Sequence, residues 1–178
     1  MKQLIIGSLI GGLLLFLWQF LSWSILNVHG NQMKYTDKQD EILKVLSENL
    51  KEGEYFLPTL PPGYSSEQEQ TYMAELEGKP WAQVSYHPEW KVSMGSNMAR
   101  AFLIDFLAVL LLCWILSRYE QVNFVSALLT SLSVGFIGFL TIVYLDNIWF
   151  ETKSLGYLID AVVSWGLVGA WLGFYLKK

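Results

Sequence analysis

No aspartate, glutamate, lysine or arginine occurs from Gln3 through Met33, and none from Gln121 through Leu145. Two further stretches are nearly as bare: 101–117 carries only Asp105, and 154–176 carries only Asp160. A soluble domain is about a quarter charged residues, whereas this chain is 16% charged and 53% hydrophobic. Roughly 20 apolar residues cross the hydrocarbon of a bilayer. Segments 4–27, 99–117, 122–145 and 155–176 meet that length. The sequence predicts an all-α membrane protein with four transmembrane helices. A small α+β extracytoplasmic domain, residues 29–97, is inserted between helices 1 and 2.

The first segment follows Met1-Lys2, as a secretory signal does. Its apolar run is longer than a signal's, and a Trp separates the small residues of Ser22-Trp23-Ser24. It therefore reads as an uncleaved helix. Lysine and arginine favour the cytoplasmic ends of short loops. Placing both termini inside puts Lys2, Arg118, Lys177 and Lys178 there and leaves Lys153 in the short outer loop. Segment 29–97 holds six lysines and eleven acids and falls outside. No basic stripe is present and the net charge is −4, so nucleic acid is excluded as a partner.

Within 29–97, Thr36 reads as an N-cap, with Asp37, Asp40 and Glu41 in the first turn, where the helix dipole favours acids. Ile42, Val45, Leu46 and Leu50 repeat at helical spacing up to Gly53. Tyr55-Phe56-Leu57 is extended, Ser65 or Ser66 caps a second helix over 67–77, and 81–86 alternates as a strand. So small a domain is expected to rest on the membrane helices. Cys113 is the single cysteine, so no disulfide is available.

Polar groups inside the spans carry the functional signal, because a charge in lipid is costly. Gln19, Arg100, Asp105, Asp160 and Ser164 are read as an intramembrane polar cluster. Asp105 and Asp160 lie at similar depth below the outer ends of helices 2 and 4, which are expected to meet there. Tyr157 and Ser164 share Asp160's face at i−3 and i+4, with Arg100 or water completing the network. Small residues permit close helix approach at Gly7, Gly11, Gly135, Gly169 and Gly173. Gly169 and Gly173 lie opposite Asp160, so helix 4 is expected to be contacted on two sides.

No phosphate loop, nucleophile elbow, zinc-protease motif or cysteine pair is present. His29 and His87 lie in the outer segment without ligand spacing. The reading is a non-enzymatic accessory or binding protein without metal or cofactor. Its partners are membrane lipid and other membrane chains, including a second copy. Two alternatives are kept: a small ion- or proton-coupled carrier using Asp105 and Asp160, and a lipid-binding protein.

Four short motifs carry a resemblance. They are Leu15-Phe16-Leu17-Trp18-Gln19-Phe20-Leu21-Ser22-Trp23 with His29 beyond, Gly53-Glu54-Tyr55-Phe56-Leu57-Pro58, Gly78-Lys79-Pro80, and the methionine-containing entry from Met94 to Met98. Together they resemble an uncharacterised family of bacterial four-helix integral membrane proteins. The resemblance implies the bacterial cytoplasmic (inner) membrane and a periplasmic or extracellular outer domain. It implies no activity and no catalytic residues.

Overall fold

The structure, a computed structural model, describes residues 2–176. Met1 and the two C-terminal lysines of the charge argument, Lys177 and Lys178, lie outside the described residues. Four helices are long and apolar enough to cross a membrane: Lys2–Ser24, Met94–Leu116, Phe124–Phe150 and Leu155–Tyr175. In chain order the elements are α1 (Lys2–Ser24), α2 (Gln39–Asn49), β1 (Gly53–Leu57), α3 (Ser66–Glu75), β2 (Ala82–Tyr86), α4 (Met94–Leu116), α5 (Phe124–Gly138), α6 (Leu145–Phe150) and α7 (Leu155–Tyr175). A π-helical stretch, Phe139–Tyr144, joins α5 to α6 without a break.

The helices do not stop where the hydrophobic runs stop. α4 begins at Met94, through the polar Ser96 and Asn97, and α6 continues past Asp146 to Phe150. Hydropathy marks the part of a helix suited to lipid, while backbone hydrogen bonding carries the helix beyond it. Glu151, with φ 51°, ends α6 in a left-handed turn.

Two compact units result, one of the segments up to Lys34 and from Ser93 onward, the other Tyr35–Val92. In the smaller unit β1 and β2 pair antiparallel, from Gly53 opposite Tyr86 to Leu57 opposite Ala82. Ser65 caps α3 through a capping box with Gln68. Thr36 is not the cap of α2. Its hydroxyl accepts from Lys38 N–H, the helix starts at Gln39, and the residue at the cap position, Lys38, makes no side-chain capping bond. Phe56 stacks on Trp81, and of the described residues here only Tyr86 is a buried hydrophobic.

In the larger unit α1 packs against both α4 and α7, and α7 packs in turn against α5. Its core is Leu15, Val109, Leu112, Leu116, Val168, Leu172 and their neighbours. The outward faces remain apolar, with Leu13, Leu17, Ile104, Leu111, Leu129 and Ile137 exposed. Water-soluble monomers rarely show contiguous apolar surface on this scale, whereas lipid accepts it.

Absent side chains set the helix spacing. A β-carbon on Gly12 would stand 2.8 Å from Phe106 Cα, one on Gly169 2.9 Å from Leu128 Cα, and one on Gly173 2.9 Å from Phe124 Cα. Gly7 lies against Leu172 and Tyr175, Gly11 against Val109 and Val168, and Gly135 against Trp165. Two hydrogen bonds tie these contacts: Trp171 Nε1 donates to Gly7 O at 3.1 Å, and Ser131 Oγ to Trp165 O at 2.6 Å. Gly169 and Gly173 thus turn α7 toward α5, while its other side meets α1.

Backbone atoms cannot move aside as a rotamer can, so Gly12→Ala should lower stability by about 1–3 kcal/mol, the range for overpacking. Gly138 has nothing within 4 Å of the equivalent position, and Gly138→Ala should hold stability or raise it slightly. Thermal unfolding in detergent checks the pair, and equal midpoints would contradict close α1–α4 packing at Gly12.

Candidate functional site

The end of α1 shapes the site. Ser24 is its last residue, and the chain reverses through Asn27 in the left-handed region at φ 51°. Val28 N–H reaches back to Ser22 O at 3.1 Å. This bond reaches one residue further back than the six-to-one bond of a Schellman helix end, and asparagine tolerates the left-handed position that the reversal needs. The reversal folds His29 back over the helix terminus. Trp23 stacks on the imidazole at 4.0 Å between ring centres, and Tyr157 meets it edge-on at 4.9 Å. Gly156 makes the room, since a β-carbon there would stand 2.9 Å from His29 Nδ1 and 3.1 Å from Val28 O. His29 is consequently buried.

Asp160 lies in the second turn of α7. Helical side chains tilt toward the N-terminus of their helix, which here brings the carboxylate to His29 and the end of α1. Oδ1 accepts from Trp18 Nε1 at 2.9 Å and from Ser22 Oγ at 2.6 Å, and Oδ2 lies 2.8 Å from His29 Nε2. Trp18 and Ser22 are four apart and share one face of α1. The carboxylate accepts a hydrogen from the imidazole, so Nε2 is the protonated nitrogen, an assignment made from the partner. A carboxylate costs about 2.5–3.5 kcal/mol at mid-bilayer on insertion scales, which is an upper bound for one in the second turn of a helix. Hydrogen bonds to charged groups contribute about 1.5–3 kcal/mol each. Three of them offset that cost.

The remaining residues of the expected cluster divide differently. Gln19 Nε2 donates to Asp105 Oδ1 at 3.0 Å, joining α1 to α4. Gly12, which admits the Phe106 backbone, brings the two helices together one to two turns away. Each acid therefore takes its own partners, all of them from α1 or the turn after it. The direct meeting of the second and fourth helices expected at this level is replaced by α1, which packs on both. Arg100 is exposed and, among the described residues, makes no ion pair or hydrogen bond, so it does not join the cluster. Ser164 donates to the Asp160 backbone carbonyl at 2.6 Å, not to the carboxylate. Tyr157 offers its ring to His29 instead of a hydroxyl to Asp160.

Sequence reasoning missed His29, Trp18, Ser22 and Gly156. The i, i+4 spacing of Trp18 and Ser22 is a signal for a paired acceptor. Nothing in the spacing announces that the chain doubles back at Asn27. The second histidine, His87, is exposed and pairs with Glu52 at 3.2 Å in the smaller unit. Among the described residues no group of three or more His, Cys, Asp or Glu is placed to hold a metal.

Beside the cluster lies a cavity of about 480 Å³ between the 29–34 turn and the α6–α7 connection. Tyr157 is a wall common to both. Ile142, Val143 and Met33 give it an apolar side, and Asp146, Lys153, Thr152 and Gln32 a polar one. Lys153 Nζ donates to Asn31 O at 2.7 Å, fastening the α6–α7 connection to the turn. Gln32 Nε2 is buried without a partner. Comparison with protein-family models, curated proteins and solved structures finds no match to this chain.

Loss of the Asp160 acceptor strands three donors at about 1–3 kcal/mol each. Asp160→Leu should therefore destabilise the protein strongly. Asp160→Asn should retain most of its stability, because the amide oxygen still accepts from Trp18 and Ser22 while its NH₂ faces a His29 that has moved its proton to Nδ1. Unfolding in detergent compares the two, and equal losses would show that the hydrogen bonds do not hold this end together.

Proposed function

We propose that this chain is a non-enzymatic, multi-pass membrane protein of the bacterial inner membrane that binds another membrane component at the outer end of its helices. The observation that carries the reading is the cavity beside the Asp160 cluster, with an apolar side and a charged side. Cavities of a few hundred Å³ with a few polar groups on an apolar wall are the usual form of ligand sites. Its walls are fixed by interactions already described: Tyr157 against His29, His29 on Asp160, and Lys153 on the 31–32 backbone. The carboxylate of Asp160 is committed on both oxygens, which supports a bracing role for it and favours binding over ion carriage.

The same reading places both termini in the cytoplasm and residues 29–97 outside, supported by the distribution of lysine and arginine. A cysteine substituted at Ser66 should react with a membrane-impermeant maleimide in intact spheroplasts, and one at Glu120 only after they are lysed. Cys113 is buried and should stay silent. Labelling of both positions from one face would overturn the orientation.

A photo-crosslinking residue in place of Ile142, on the cavity wall, should trap one enriched species in native membranes, protein or lipid. The same residue at Leu111, exposed on α4, should trap only the bulk lipid mixture. Identical adduct patterns at the two positions would remove the basis for a binding function.

A further inference from the structure

We infer that the cavity beside His29 holds the headgroup of a zwitterionic phospholipid with a primary amine, a phosphatidylethanolamine; this rests on the binding function proposed above. The charges are the first argument. Asp146 and Lys153 line one cavity yet form no ion pair with each other, and among the described residues the exposed carboxylate of Asp146 has no hydrogen-bond partner. Two opposite charges held apart across a cavity match a ligand that carries both. A lysine ammonium offers three donors, and Lys153 uses one on Asn31 O. The other two are free for a phosphate oxygen. Asp146 is an acceptor for the ligand's ammonium, and Gln32 and Thr152 add polar wall beside it.

Depth is the second argument. The helix from Phe124 to Phe150 has 27 residues, about 40 Å at 1.5 Å per residue, whereas the hydrocarbon is about 30 Å thick. Asp146 lies about 33 Å along it from Phe124, just beyond the hydrocarbon if the helix enters at its start. That is the level of headgroups. One turn back, Ile142 and Val143 line the same cavity; Ile142 is 70% exposed, and Leu145, three residues on, is exposed as well. The apolar wall thus opens toward the acyl region, where a lipid's chains lie and a soluble phosphoethanolamine has nothing to place. A lipid without the amine lacks the donor for Asp146, and an anionic lipid brings phosphate to Lys153 with nothing for the acid.

The full-length protein in detergent, titrated with dioleoyl-phosphatidylethanolamine, -phosphatidylcholine or -phosphatidylglycerol and read by native mass spectrometry, tests the assignment. One phosphatidylethanolamine should remain bound per chain, about tenfold tighter than either other lipid, which corresponds to about 1.4 kcal/mol. Asp146→Asn should erase the preference over phosphatidylglycerol, and Lys153→Ala should weaken all three lipids. Among the described residues the Asp146 side chain has no partner, so its variant is expected to fold as the parent does, with an unchanged circular dichroism spectrum. Equal binding of the three lipids, or an unchanged preference in Asp146→Asn, would overturn the proposal, as would displacement of the lipid by soluble phosphoethanolamine at equal concentration. A negative lipid titration together with a protein adduct at Ile142 would defeat the lipid and leave the binding function standing. Absence of both would remove the two together.

Discussion

Everything where the end of α1 meets the start of α7 depends on one carboxylate being kept satisfied where water is scarce. Asp160 accepts from two side chains of α1 and meets a histidine delivered by the turn after it. A single acid thereby fixes the rotation of α1, its closeness to α7 and the path of the chain as it leaves the helix. Take away the reversal at Asn27 and His29 has no way to reach Oδ2. Take away the empty position at Gly156 and the imidazole has no room. In this arrangement the carboxylate uses all three donors at once.

The opposite half of the unit works by other means. There the helices meet through glycines and buried leucines and valines, with two hydrogen bonds from Trp171 and Ser131 to backbone carbonyls. Lipid supplies no hydrophobic drive for helix association, so close packing and hydrogen bonding must supply it. Gly12 shows the link between the halves. It sets α1 against the α4 backbone, which brings Gln19 within reach of Asp105.

The four long apolar helices were legible in the sequence because a bilayer imposes a length and a composition together, and few other folds ask for both. Their ends were less legible, since Ser96, Asn97 and Asp146 lower hydropathy without interrupting helical hydrogen bonds. Asp105, Asp160 and Gln19 stood out as polar groups in apolar runs. Their partners did not, because partnership depends on which helix lies between which. Spacing along α7 pointed to Tyr157 and Ser164, its own neighbours, whereas the donors came from a helix about 140 positions earlier in the chain. His29 looked exposed by its place in a polar segment. Its burial follows from a left-handed residue two positions before it, a local event that leaves little trace in composition.

The π-helical stretch from Phe139 to Tyr144 acts on the third long helix as an index mark. A turn closed by i→i+5 bonds takes in one more residue than an α-turn, and one residue amounts to about 100° of rotation in an α-helix. The two parts of this helix are therefore out of phase. The α5 part presents Ala127, Ser131 and Gly135 to α7, while Val143 and Asp146 are turned to face the 29–34 turn. One rod thus serves two neighbours, α7 and the 29–34 turn. Its reading frame changes between the part packed on α7 and the part that lines the cavity.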